Sequence, residues 1–415
     1  MSISSSRLSC GIPLIIERMP SAKSGAIAWL LPVGASHDPL DRQGLATMLS
    51  ELIFRGAGSL DSRAQADAMD SIGLSRSSST GMIYLRLAAT CIGRDLGKAL
   101  ALLADIVRRP RFDDASIEPT RELALQSLAG LRDDPSHFAG TILTEHHNTI
   151  PYNRTGLGDE AGLRSVTRDD IVSAWSTRVR PQSSILAVAG DADVEALEEQ
   201  LEELLADWSG ENPEPALTPN PKRGSTHHQT DDSSQVHIYA AHEAPAEGSP
   251  DAVLERLTLA VLSGGSSSRL FSEVREKRGL CYSVSASYSG DKHFGRVIAY
   301  VGTTPERAQQ SLDVLSEQLA LINTPEGRVT QEELDRAVIG LKSSLVFSGE
   351  STGARAMSLA LDQHRIGRPR SLDELSQAID AVSLDQLNAY LTRRKPEKMT
   401  LVTLGPAELV RPGGI

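Results

Sequence analysis

The feature that most restricts how this chain can fold is a succession of elements that occurs twice. Val166-Thr167-Arg168-Asp169 opens a helix that leads through Pro181 to the apolar run Ile185-Leu186-Ala187-Val188-Ala189-Gly190. Val382-Ser383-Leu384-Asp385 opens another, which leads through Pro396 to Thr400-Leu401-Val402-Thr403-Leu404-Gly405. In each case a Thr or Ser placed to cap the first turn starts a helix, and a short apolar strand closes the unit. Upstream the order also matches: extended segments, a helical stretch (44–54 against 252–262), a second helical piece (62–72 against 269–277), and two strand-like runs. Two long amphipathic helices then follow in each half, with apolar residues recurring three and four apart, the spacing of one buried stripe. A shared order over roughly 170–200 residues identifies a tandem duplication. Each unit is expected to be α+β, an antiparallel-rich sheet with its helices packed on one face.

Between the halves, residues 209–234 (SGENPEPALTPNPKRGSTHHQTDDSS) hold four prolines, little that is apolar and no period. Such a stretch cannot repay its ordering entropy by burial, so it is expected to be an exposed connector. Residues 1–208 and 235–415 then form two homologous domains. With 42 Lys+Arg against 54 Asp+Glu the net charge is −12, and aromatics make up only 4%. That balance excludes a phosphate-backbone binder and a base-stacking platform. Three widely spaced cysteines, Cys10, Cys91 and Cys281, build neither a disulfide framework nor a thiolate zinc site, and are expected to be buried hydrophobes. No apolar run is long enough to span a bilayer, and Met1–Ser9 lacks the features of a secretory leader, so a cytoplasmic location is expected.

Two segments carry chemistry. In Leu262–Val284 (LSGGSSSRLFSEVREKRGLCYSV) composition alone describes a helix with a Ser-rich start, basic residues at its end and Gly279 as its stop. In Gly44–Gly56 (GLATMLSELIFRG) it describes an amphipathic helix with an exposed Ser and Glu. The histidines look incidental. His146-His147 read as a solvated helix surface, His227-His228 as polar filler of the connector, and His37 as a loop residue with nothing at ligand spacing.

Both segments resemble motifs of the pitrilysin/insulinase-type metallopeptidases, the inverzincins. In that family a helix of the pattern G-x-A-H-x-x-E-H-x-x-F-[KR]-G holds zinc through two histidines on one face, with the glutamate as general base. Here the histidine positions are Thr47 and Glu51, the base position is Ser50, and the third-ligand position on a later helix falls on Ser127. One carboxylate does not make a three-ligand zinc site. The segment 263–284 matches the family's second-half signature nearly residue for residue. The resemblance implies that Arg275 and Tyr282 reach a cleavage site; the run at Gly264, Gly265 and Ser266 lets backbone approach a bound peptide or merely lets the chain turn. Arg suits a peptide carbonyl or carboxylate, and a Tyr hydroxyl can donate to the oxyanion formed by water attack. The implied whole is half of a clamshell: a chain without cofactor, inactive alone, that complements a homologous subunit in which zinc is expected, acting on peptides or unfolded segments. Two alternatives stay open. One is a catalytically inactive structural or assembly subunit of a larger complex. The other is a peptidase with an unconventional metal site.

Overall fold

In the computed structural model, which describes residues 2–396 and 398–413, the chain forms two compact units. The first runs to Gly130 and adds Ile150–Thr218 and Ser348–Arg370. The second comprises Leu131–Thr149, Pro219–Phe347 and the chain from Ser371 onward.

The first unit contains strands β1 Ser2–Arg7, β2 Pro13–Arg18, β3 Ser24–Leu31, the short pair β4 Gly56–Ala57 and β5 Leu60–Asp61, then β6 Ser75–Thr80, β7 Leu85–Ile92 and β8 Ile185–Gly190. Its main sheet has the order β1-β2-β8-β3-β7-β6, antiparallel throughout except where β2 runs parallel to β8. The helices of this unit are α1 Leu45–Leu52, α2 Ser62–Ser71, α3 Leu96–Arg108, α4 Asp114–Gly130, α6 Glu160–Ser165, α7 Arg168–Arg178, α8 Val194–Leu205 and α12 Thr352–Ile366. The second unit has β9 Thr226–Thr230, β10 Val236–Ala244, β11 Cys281–Gly290, β12 Gly295–Thr303 and β13 Thr400–Gly405, in the order β11-β12-β10-β13-β9. Again one pair is parallel, β13 with β9. Its helices are α5 Pro135–His147, α9 Ala252–Ser263, α10 Ala308–Leu321, α11 Gln331–Gly349, α13 Leu372–Asp380 and α14 Leu384–Arg393.

The two sheets superimpose as orders: β6-β7-β3-β8-β2 corresponds to β11-β12-β10-β13-β9, parallel pair included. The duplication read from residues 166–190 and 382–405 is therefore a duplication of topology. Both helix starts carry full capping boxes, Thr167 with Asp170 and Ser383 with Gln386. One segment differs from its expectation. Thr226–Thr230, inside the stretch taken as an exposed connector, is the edge strand β9 and the counterpart of β2. It escapes notice because an edge strand that pairs on one side needs no apolar period.

Each sheet has its larger helical layer on one face. Trp29, Ile27 and Leu31 of β3 pack there with the apolar stripes of α1, α3 and α8. The opposite face of each sheet carries a single helix that comes from the other half of the sequence. In the first unit α12 sets Ala356, Leu359 and Ala360 against Ala26, Ala28, Leu30, Ala187 and Ala189. In the second, α5 sets Ile142 and Leu143 against Ala241 and Val402. Strands β3 and β8 are accordingly apolar at nearly every position, as strands buried on both faces must be.

Two buried ion pairs lie in these layers. Glu17 of β2 accepts from Nε of Arg355 of α12 at 2.6 Å, and both side chains are at most 2% exposed. In the second unit Arg394 donates to both carboxylate oxygens of Glu255 at 2.8 and 2.7 Å and to His242 Nε2 at 3.2 Å. The hydroxyl of Tyr390 donates to the same carboxylate.

His146 and His147, expected on a solvated surface, are buried where α5 packs on β10 and β13. His146 Nδ1–H donates to the carbonyl of Ile142 at 2.9 Å, and its ring lies 4.4 Å from that of His227. Helix α5 turns this face to a sheet rather than to water, a consequence of tertiary packing that helical spacing alone does not reveal. The three cysteines are free and buried. Among the described residues no helix is long and apolar enough to cross a membrane.

Burial, reinforced by the charges of Arg223 and Arg296, holds the His147 imidazole down to about 3. Burial and Arg394 hold His242 down to about 4. Both stay neutral in the folded unit, whereas an unfolded chain protonates them below about 6.5. Their contribution to the stability of the second unit is therefore fully present above that pH and is lost as the pH drops from about 6.5 toward 4, with a slope of up to about 2.7 kcal/mol per pH unit for two such groups. Hydrogen exchange of β10 and β13 should accordingly be markedly faster at pH 5 than at pH 7 once intrinsic rates are divided out. Equal protection at the two pH values would exclude this linkage.

Candidate functional site

Helix α1 is fixed by its apolar face: Leu45, Met48, Leu49 and Leu52 are buried. Its N-terminus is capped from a distance. The Asp38 carboxylate accepts the N–H groups of Gly44 at 2.9 Å and Ala46 at 3.0 Å. Burial pushes the Asp38 carboxyl up to about 7, against the opposing pull of those N–H groups. Gly44 itself sits at φ +103°, which favours glycine, and Gly158 packs so close that a Cβ there would meet its backbone.

The hydroxyl positions of α1 are committed internally. Thr47 Oγ1 donates to the carbonyl of Gly156. Ser50 is buried and its Oγ donates to the carbonyl of Thr47 at 2.8 Å. The adjacent edge strand β6 adds two hydroxyls, Ser78 to the carbonyl of Ser50 at 2.6 Å and Thr80 to that of Ala46 at 3.1 Å. Glu51 is exposed. Ser127 of α4, also exposed, turns its Oγ back to the carbonyl of Leu123 at 3.0 Å. Among the described residues no group of three or more His, Cys, Asp or Glu is arranged to hold a metal ion. Three hydroxyls engaged to carbonyls and one solvated carboxylate do not fit zinc, which takes anionic or imidazole ligands.

The second motif is built differently. After α9, Leu270 leads into a π-helical turn, Phe271–Glu276, closed by the N–H of Lys277 bonding to Ser272 at 2.9 Å. Gly279, at φ +58°, ends it. Arg275 projects from this turn, exposed, with its guanidinium 4.9 Å from the centre of the Phe271 ring. Its basic neighbours are occupied: Lys277 and Arg278 both pair with Glu273. Arg275 has no carboxylate partner among the described residues. Tyr282 follows on β11, where the pairing with β12 slips by one residue between Cys281 and Ser283. Tyr282 is the extra residue of this β-bulge and is 71% exposed. Both motif side chains thus leave from irregular backbone, a π turn and a bulge, devices that re-aim side chains and recur at functional sites.

Beside them, α9, α11 and β11 enclose a cleft of about 370 Å³. Gly264 and Gly265 line it together with Arg256, Tyr288, Glu333 and Arg336, whereas Ser266, Arg275 and Tyr282 do not. The five residues singled out in the second half therefore divide between two places. Sequence reasoning missed Phe271, although its i, i+4 relation to Arg275 is a visible signal. It also missed the cleft arginines, Arg256 of α9 and Arg336 of α11, which only the tertiary structure places on one cleft.

Comparison with known proteins gives the same frame. Residues 14–159 match the family model described as insulinase (peptidase family M16), and residues 165–341 match that of the peptidase M16 inactive domain. The chain belongs to the insulinase, or M16, peptidase family. Among its M16 relatives is YmxG of Bacillus subtilis, described as an uncharacterized zinc protease, 24% identical over 401 residues that cover 96% of this chain and 97% of that one. A Mycobacterium tuberculosis protein of the same description, Rv2782c, is 25% identical over 405 residues, 95% of this chain and 91% of its own. Two solved structures share the fold over nearly the full length of both chains. A peptidase M16 inactive domain from Pseudomonas fluorescens has a TM-score of 0.85 at 20% identity, covering 99% of this chain and 100% of its own. A protease from Helicobacter pylori has a TM-score of 0.86 at 21% identity, covering 98% and 99%. A chain of complex III2 from Candida albicans has a TM-score of 0.82 at 16% identity, covering 98% and 97%.

Proposed function

We propose that this M16 chain is the non-zinc subunit of a heterodimeric metallopeptidase. A homologous subunit holds zinc and the general base, and this chain contributes Arg275 and Tyr282 to the shared site. The observation that carries the proposal is the contrast between the two motifs. The hydroxyls at 47, 50 and 127 are tied to carbonyls within their own unit. Arg275 and Tyr282 stand exposed on a π turn and a β-bulge with their polar groups available. In this role the guanidinium fork holds a carbonyl or carboxylate of an extended peptide, and the phenol O–H donates to the developing oxyanion. The free edge of the first sheet, β6, suits substrate held as an added strand, a mode that demands little of the sequence bound.

The test mixes the purified chain with a zinc-bearing M16 homologue from the same organism and assays a quenched fluorogenic peptide. Activity is expected in the mixture and in neither component alone, with co-elution as a heterodimer. Stoichiometric zinc in this chain by itself, or activity without a partner, would overturn the proposal. The likeness to a chain of Candida albicans complex III2 supports a second reading, a structural subunit of a larger assembly. That reading expects stable association and no gain of peptidase activity.

A further inference from the structure

We infer that the cleft between α9, α11 and β11 is a binding site in its own right, for the C-terminal carboxylate end of a short peptide. At about 370 Å³ it lies at the small end of the ligand-pocket range of about 300–1,000 Å³, room for a few residues of chain.

Its charges select the ligand. Arg256 is already committed, paired with the buried Glu247 and lying 5.4 Å from the Tyr288 ring centre. Glu333 is committed too, both its oxygens held by Arg269 at 2.7 and 2.8 Å. Arg336 is different. Its one carboxylate partner among the described residues is Glu332, a turn away on the same helix and 83% exposed, an arrangement worth little and readily exchanged. One guanidinium is thus ready to take one carboxylate. With Arg256 and Glu333 already paired, the single guanidinium left matches one carboxylate rather than a polyanion.

The remaining lining matches a peptide end. Ser267 offers a hydroxyl, Ser344 lines the wall with its Oγ donating to the carbonyl of Gly340 at 3.1 Å, and Ser263 Oγ already accepts the outward N–H of Ala286 at 2.8 Å. That bond closes the middle of the β11 edge to an added strand, so the ligand ends here rather than running through. Gly340 of α11 leaves space, since a Cβ there would meet nothing within 4 Å.

Arg275 and Tyr282 do not line this cleft, and its ligand needs no partner subunit, so the inference does not depend on the proposed peptidase pairing. The test is isothermal titration of the full chain with acetyl-Ala-Ala-Ala-Leu as free acid and as C-terminal amide. The acid should bind saturably and the amide at least tenfold more weakly. Arg336→Gln should weaken the acid at least tenfold and leave the amide unchanged. Gly340→Leu should abolish binding of both while the thermal midpoint holds or rises, since the change favours helix. Arg63→Ala, at an exposed arginine of the first unit, should bind as the parent does. Equal affinity for acid and amide, undiminished binding by either cleft variant, no saturation up to millimolar peptide, or equal affinity for inorganic phosphate would each overturn the assignment.

Discussion

Tyr282→Phe, assayed in the mixture with a zinc-bearing homologue, should lower kcat by two to three decades while KM moves little. The ring stays, and its site on the bulge is solvated, so packing is hardly disturbed. What disappears is one preorganised O–H donor. Loss of such a donor to an oxyanion costs about 2.7–4 kcal/mol of transition-state stabilisation. An interaction formed only in the transition state reports in kcat rather than in KM. Arg275→Ala should instead raise KM together with any fall in kcat, because a guanidinium that holds substrate acts before the chemistry as well as during it. Unchanged turnover in Tyr282→Phe would remove the hydroxyl from the mechanism, while unaltered heterodimer formation in the same sample would leave the pairing intact.

The second large effect concerns stability. Arg355→Met should destabilise the first unit by about 3–5 kcal/mol, because it leaves the Glu17 carboxylate buried without its partner. Glu17→Leu combined with Arg355→Met should recover most of that loss or exceed the parent, since apolar replacement of both members of a buried pair is often neutral or stabilising. The readout is convenient: Trp29, Trp175 and Trp208 all belong to the first unit, so urea unfolding followed by tryptophan fluorescence reports on it. A single variant within about 0.5 kcal/mol of the parent would mean that the pair is not closed to water, since only exposed pairs are worth so little. The comparison also probes the exchanged helix, because Arg355 is the charged anchor of α12 on β2.

Much of the architecture was legible in the residues. The helical stretches at 44–54, 62–72 and 252–262 and the apolar runs at 185–190 and 400–405 fall on α1, α2, α9, β8 and β13 to within a few positions, and the two capping sequences at Thr167 and Ser383 marked the repeat that the sheet orders then display. The failures share a cause. Thr226–Thr230 is polar because it is an edge strand paired on one side, and His146-His147 are buried because α5 meets a sheet supplied by the other half of the chain. Both are settled by partners distant in sequence. One clue was present but unused: β3 and β8 are apolar without alternation, which requires cover on both faces.

The candidate site divides in the same way. The resemblance aligns positions 47, 50 and 127 with the zinc ligands and base of the family, and residue identity then determined that they carry hydroxyls instead of the imidazole or carboxylate such a site uses. It also determined the seven-residue spacing of Arg275 and Tyr282. Only the tertiary structure decided that these two leave from a π turn and a β-bulge, and that Gly264 and Gly265 face a separate cleft with Arg336. Spacing along a chain fixes direction only while the backbone stays regular. Where a turn widens or a ladder slips by one residue, strand pairing and helix packing decide where a side chain points.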